Sequence, residues 1–317
     1  ATCEVPSFRS DIELEADLIE EIARMDGLDK IPEAMPAARI VPDANDKHAR
    51  AETACRANLA ALGLSEIVNY SFLSSQLLDR FTTGDRKQRV VLPNPSSADY
   101  AVMRNSLVPQ MVDTLGRNLA RQTATAALFE LGTVFMKTED GRIAEEKRVS
   151  IGLMGKAGRP DPASRRKTEP GEVFLWLKGI VEALAEAQHI GNVSFAPATS
   201  PGLDGMATVD VMANGTRIGV AGLLAGDVGA EWRMNDAVAI AELNLEHLLA
   251  NYGIINAIRP IPAYPAIARD VALVVAADVK NEDIQKIIKE SAPNELTSVE
   301  LFDIYTGDTI GKGRKSL

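Results

Sequence analysis

The sequence predicts an α+β chain: an antiparallel sheet with flanking helices, preceded by a partial helical part and followed by a truncated ferredoxin-like one. Two observations point to it. Hairpin signals are interleaved with long amphipathic helices, and the regular βαβα alternation of a doubly wound parallel sheet is missing. A third observation sets the divisions: proline groups at Pro32, Pro36 and Pro42 and at Pro260, Pro262 and Pro265 read as extended linkers, giving parts 1–40, 41–258 and 259–317.

Taken in order, Leu14, Leu18, Ile22 and Met25 recur at three- and four-residue steps, which predicts a helix with one buried face, closed by Gly27 and Pro32. A second helix is expected over 51–62, followed by a strand through Ile67, Val68 and Tyr70. "RVVLPNPSS" reads as a strand running into a turn at Asn94, Pro95 and Ser96. Ser106 can cap a helix carrying Leu107, Met111, Leu115 and Leu119 on one face. "AALFELGTVF" and "RVSIGLMG" read as strands and "FLWLKGIVEALAEA" as an amphipathic helix. In "TVDVMANGTRIGVAGLL" two strands meet at Asn214 and Gly215, a pair that accepts the positive φ angles of a type I′ turn. The last part reads as strand ("RDVALVV"), helix from Asn281 with Ile284, Ile287 and Ile288 on one face, then strand ("SVELFDIY"), the first half of a ferredoxin-like unit.

Composition narrows the class. Hydrophobic residues at 46% and charged residues at 25% of 317 are values of a folding chain with room for two or three domains. No apolar stretch approaches bilayer length and Ala1 to Phe8 lack a signal-peptide layout, so the expected location is the cytoplasm. Cys3 and Cys55, without CxxC spacing or a histidine cluster, suggest neither a disulfide scaffold nor a zinc site. A net charge of −10 opposes a simple nucleic-acid binder, so any RNA contact is local or made with a partner. The chain opens in a strand-like "CEVPSFR" and stops at "GRKSL", where another strand begins, as an internal fragment would.

The sharpest candidate site is acidic: Asp11, Asp17, Glu20 and Glu21. The last three share one helix face, where like charges repel, with only Arg24 placed along it to relieve them. A hard divalent cation, magnesium by preference, would relieve them better, and Asp11 joins only if the helix begins after it. The alternative is a solvated acidic face, with Ser10 or Asp11 capping the helix and Glu13 completing a capping box.

Two further segments carry cations. In "LPNPSSADYAVMRNSLVPQMVDTLGRNLARQ", Arg104 and Arg121 either hold a phosphate or carboxylate ligand or serve as surface partners of acidic residues. "GDTIGKGRKS", with Lys312, Arg314 and Lys315, is not a P-loop and reads as a flexible turn, with RNA-backbone contact as the second reading. His48, His189 and His247 are scattered, with no serine or cysteine nucleophile signature beside them.

"VPSFRSDIELEADLIEEIARMDGLDKIP" resembles a segment of bacterial phenylalanyl-tRNA synthetase beta chains, and "LPNPSSADYAVMRNSLVPQMVDTLGRN", "LFELGTVF", "YPAIARDVALVV" and "FDIYTGDTIGKGRKSL" resemble further family motifs in the family's order. The resemblance implies a fragment of that subunit lacking its N-terminal tRNA-binding and editing regions. It implies that Asp11, Asp17, Glu20 and Glu21 hold a magnesium ion shared with the alpha subunit. It implies that 41–258 is a degenerate class II aminoacyl-tRNA synthetase-like domain without catalysis, and that ATP is bound on the alpha subunit. Departures are Asp26 and Leu28 at expected tyrosines, and "GLLAGDV" without a histidine-proline pair.

The residues agree with a lost site, since "LFELGTVF" carries no arginine for a triphosphate clamp. The expected role is structural, within an alpha-beta heterotetramer that joins phenylalanine to tRNA(Phe), with no catalytic residue here. Two rivals remain: a catalytically dead adaptor or RNA-binding module outside translation, and a magnesium-dependent hydrolase using the acidic cluster.

Overall fold

The hairpins gather into one seven-stranded sheet, which dominates the computed structural model of residues 3–37, 39, 46–82, 86–156, 168–254, 264–292 and 295–317. Two units separate, Ala1–Ile255 and Asn256–Leu317, the first containing the sheet. Pro42, Pro260, Pro262 and the boundaries expected after 40 and 258 lie outside the described residues.

In chain order the first unit holds α1 (Glu15–Asp26), α2 (Asp46–Ala61), β1 (Ser65–Glu66), β2 (Phe72–Leu73), α3 (Ser75–Asp79), β3 (Val102–Met103), α4 (Val108–Ala120), β4 (Ala126–Lys137) and β5 (Ile143–Met154). It continues with α5 (Pro170–Ala187), β6 (Val193–Pro197), β7 (Leu203–Ala213), β8 (Thr216–Leu224), α6 (Gly226–Glu231), β9 (Val238–Asn244) and α7 (Leu245–Leu249). The sheet order is β1-β4-β5-β9-β8-β7-β6. All its neighbours are antiparallel except β1 beside β4.

Alternation along the strands divides the core into two layers. Val149, Ile151 and Leu153 of β5 and Ala239, Ala241 and Leu243 of β9 face α2 and α5, against Cys55, Leu59, Leu177 and Leu184. The intervening Met154 and Ile240, with Leu128 of β4, face α4, against Met111, Val112 and Leu115. Both sheet faces are covered, so the strands read as nearly continuous apolar runs. α4 packs closely on β5 at Gly152, where a Cβ would stand 2.7 Å from Met111. The β7–β8 hairpin turns through Asn214 (φ 49°) and Gly215 (φ 80°), as its sequence requires.

The helices over 170–187 and 108–120 form as their apolar periods predict, each with a proline in its first turn. The second helix begins at Asp46, five residues before its expected start, and His48 in its first turn pairs across to Glu246 at 2.9 Å. The strand expected through Ile67, Val68 and Tyr70 is displaced. Pairing occurs at Ser65–Glu66, and Val68 and Tyr70 emerge exposed beyond it. "RVVLPNPSS" contributes only an isolated bridge from Val91 to Val102.

The amino-terminal helix forms where expected, yet none of its residues is buried: Leu14, Ile22 and Met25 lie in solvent, contrary to the buried face its period predicts. The second unit departs similarly. β10 (Val274–Ala276), α8 (Asn281–Ser291) and β11 (Arg314–Ser316) form, with β10 and β11 antiparallel. The strand expected in "SVELFDIY" shrinks to one bridge between Tyr305 and Ser316, and Ile287 is exposed. No described residue of this unit is buried, and strands need a packed face to persist.

Burial pushes the Cys55 thiol up to about 12, whereas Cys3 is exposed. A thiol reagent at pH 8 should therefore modify Cys3 and spare Cys55 until the protein is unfolded. Equal labelling rates measured by intact mass would contradict this packing.

Candidate functional site

Of the four acidic residues singled out in the sequence, Asp11 and Glu21 share one arginine and the other two stand apart from it. Asp11 lies in the turn before α1 and accepts from Arg9 Nη2 at 2.8 Å and Nε at 3.0 Å. The same Nη2 donates to Glu21 Oε1 at 2.7 Å, and Arg24 Nη2 donates to Glu21 Oε2 at 2.5 Å. Asp17 turns back to the start of the helix, its Oδ2 accepting from the backbone N–H of Leu14 at 2.7 Å and Glu13 at 2.8 Å. That is the reach-back half of a capping box, so the helix is capped by Asp17 and by neither Ser10 nor Asp11. Glu20 is exposed.

These contacts favour the charged forms. Hydrogen bonds from Arg9 and then Arg24 bring Glu21 to about 2, and the bond from Arg9 lowers Asp11. The backbone donors, Leu14 first, lower Asp17. The oxygen chemistry suits magnesium, and among the described residues this chain alone brings no three potential ligands together. A guanidinium stands between Asp11 and Glu21 instead. Arg9, two residues before Asp11 and outside the helical period, is the partner that spacing arguments missed.

The second constellation is structural in its arginine. Arg104 is buried, not a surface partner, and donates from Nη1 to buried Glu130 at 2.6 Å and from Nε to the Thr133 carbonyl at 2.9 Å. Glu130 also accepts from the Asn69 side chain at 2.8 Å, and Gln110 donates to the carbonyls of Tyr70 and Phe72 at 2.6 and 3.1 Å. The segment 69–72 is thereby stitched to β4 and α4. Gly132 makes room, since a Cβ there would collide with the Arg104 guanidinium. The signal was legible: a lone acid in "ALFELGTVF" implies a buried partner.

Ser106 and Leu107 open α4 against a second buried acid. Glu242 Oε1 accepts from Ser106 Oγ at 3.0 Å and the Leu107 backbone at 2.5 Å, and its Oε2 accepts from Arg148 at 2.7 Å. Arg148 is shared with Glu146, whose Oε1 it meets at 2.9 Å. Burial lowers Arg148, and the charges of Glu242 and Glu146 raise it by more, so it stays protonated. Buried Arg104 and part-buried Arg148 are therefore both matched to carboxylates of this chain, as buried Arg89 is to Asp79 at 2.5 Å.

Arg121 is exposed beside Arg117 in a cleft of about 620 Å³ lined also by Val68, Asn69, Tyr70 and Thr114. Tyr70 packs edge-on to Tyr100 with ring centres 5.8 Å apart. Among the described residues the histidines form no triad: His48 contacts Glu52 and Glu246, and His247 contacts Asn244. In the C-terminal segment Gly311 and Gly313 adopt φ of 84° and 75° before β11.

The sheet and its helices place the chain among synthetase-type folds. Two solved pyrrolysyl-tRNA synthetase structures from Desulfitobacterium hafniense share the fold, at TM-scores of 0.51 and 0.50 over 64% and 63% of this chain and 65% and 67% of theirs, with 21% and 20% sequence identity. Residues 31–245 match the family of the phenylalanyl tRNA synthetase beta chain CLM domain, and the chain belongs to that family. Residues 262–317 match the ferredoxin-fold anticodon binding domain and residues 1–28 the tRNA synthetase B5 domain. Among curated relatives, the phenylalanine–tRNA ligase beta subunits of Geobacter sulfurreducens and Listeria innocua are 33% and 35% identical over 99% of this chain. The chain spans 39% of the length of each.

Removing one partner of the Arg104–Glu130 pair leaves a buried charge alone, so Arg104→Ala should cost about 3–5 kcal/mol in chemical denaturation. Partial burial pushes Glu146 upward, but the hydrogen bond and charge of Arg148 and the bond from Asn244 outweigh it, and the group is lowered below 4.5. A depressed carboxylate stabilises above its unfolded value and loses that contribution as pH falls through the folded one. Wild type should thus be more stable than Glu146→Gln at pH 7, the two urea midpoints converging below pH 4.5. A constant gap would refute the linkage.

Proposed function

We propose that this chain is a non-catalytic scaffold within the beta subunit of a phenylalanine–tRNA ligase. In this reading it supports an alpha subunit that binds ATP and activates phenylalanine, within an alpha-beta heterotetramer acting on tRNA(Phe) in the cytoplasm. Three parts divide the work: an amino-terminal helical part over 1–40, a degenerate class II synthetase-like domain over 41–258, and a ferredoxin-like part over 259–317 facing the anticodon stem. The observation that carries the non-catalytic reading is the commitment of Arg104 and Arg148 to Glu130 and to Glu242 and Glu146. A triphosphate needs cations free to meet it.

The exposed Val68 and Tyr70, with Arg117 and Arg121 beside them, support a protein partner, because aromatic and arginine side chains anchor interfaces. Asp11, Asp17, Glu20 and Glu21 are the residues proposed to hold magnesium shared with that partner. The ion would supply charge that Arg9 and Arg24 supply here. No helix among the described residues is long and apolar enough to cross a membrane.

Co-purification tests the reading: the full-length protein should recover a phenylalanyl synthetase alpha chain from cells, and recovery of other partners without it would favour an adaptor. Tyr70→Ala should weaken that association while leaving the melting temperature unchanged. Calorimetry on this chain alone should find magnesium weak or absent, and Glu20→Gln or Glu21→Gln should weaken pairing with alpha. Tight magnesium binding without a partner would overturn the shared site.

A further inference from the structure

Arg121 differs from the arginines around it. Arg104 and Arg148 meet glutamates of this chain, and Arg117, in the same cleft as Arg121, meets Asp113 at 3.1 Å and Thr114 at 3.2 Å. No hydrogen bond or ion pair reaches the Arg121 side chain among the described residues. The end of α4 does not hold it either, because the carbonyls of Asn118 and Leu119 accept from the backbone N–H groups of Arg121, Gln122 and Thr123.

The opposite wall of the cleft is also unmatched. Val68 follows β1, the outermost strand on this side of the sheet, and neither its N–H nor its C=O has a hydrogen bond among the described residues. Its neighbours do: the Ile67 N–H donates to the Phe129 carbonyl at 2.8 Å, and the Asn69 N–H to Glu130 Oε1 at 3.3 Å. The main chain of Val68 therefore turns away from β4 and leaves an open edge, a feature that proteins cover or pair. Val68 and Tyr70 are 89% and 70% exposed along it.

An open edge, two exposed side chains and one unmatched guanidinium together fit an extended peptide that carries a carboxylate. A planar guanidinium meets one carboxylate through two parallel hydrogen bonds. RNA fits less well, because a phosphate backbone is held by several free cations and Arg117 already has Asp113 upon it. Building on the assignment of an alpha-subunit partner, we propose that this cleft receives an extended acidic segment of that partner. Its Asp or Glu lies on Arg121, an apolar side chain lies against Val68 and Tyr70, and its main chain meets the open edge.

Photo-crosslinking tests this in the full-length protein carrying Tyr70→benzoylphenylalanine, expressed with the alpha chain, irradiated and read by peptide mass spectrometry. The crosslink should fall on an alpha-chain segment with an Asp or Glu a few residues from the attachment point. Arg121→Ala should weaken alpha binding about tenfold and Arg121→Glu further, with melting temperatures unchanged. The gap between wild type and Arg121→Ala should narrow as salt is raised, and Arg117→Ala should cost less than Arg121→Ala. A crosslink to RNA, a crosslink to an alpha segment without Asp or Glu, or unchanged affinity of Arg121→Glu would overturn this docking mode while the alpha partner stands. Failure of the wild-type protein to recover any alpha chain would overturn the partner assignment, and the docking mode with it.

Discussion

The buried pair of Arg104 and Glu130 is the constraint on which the sheet's α4 face depends. A strand that must bury an acid needs a cation delivered to it, and the chain delivers one from the segment just before α4. The same guanidinium reaches the Thr133 carbonyl, while Asn69 and Gln110 tie the stretch before β2 into the network. The position of Tyr70 on the surface follows from groups that are themselves out of sight. A second acid, Glu242, repeats the device two strands away and fixes where α4 begins. Polar interiors of this kind stabilise little by themselves, but they penalise every arrangement that leaves one member unpaired.

That economy also accounts for the character of the domain. Its fold is shared with two solved pyrrolysyl-tRNA synthetase structures, and its Arg104 and Arg148 serve glutamates of the same chain.

Local signals were legible in the sequence. Asn214 and Gly215 fix their turn by backbone conformation alone, and the apolar periods of α4 and α5 report the faces they bury. Pairings between distant segments were less legible. Val68 and Tyr70 have the composition of a strand, yet the parallel partner of β4 is the polar Ser65 and Glu66, a choice made by the sheet edge and not by propensity. The short strands of the second unit fail for a related reason, lacking buried neighbours to reward extension. At the acidic cluster, helical spacing correctly grouped Asp17, Glu20 and Glu21 on one helix. It could not foresee that Asp17 folds back to the backbone, or that Arg9 in the preceding turn reaches two of the four carboxylates.

The exposed apolar stripe of α1 bears on anything that would use those carboxylates. An isolated helix of 12 residues is only marginally stable in water, and this one has no buried side chain to anchor it. Its carboxylates are thus displayed on the least self-supporting element of the first unit. Whatever engages them must supply ordering as well as attraction, so occupancy and helicity there rise and fall together, as in coupled folding and recognition.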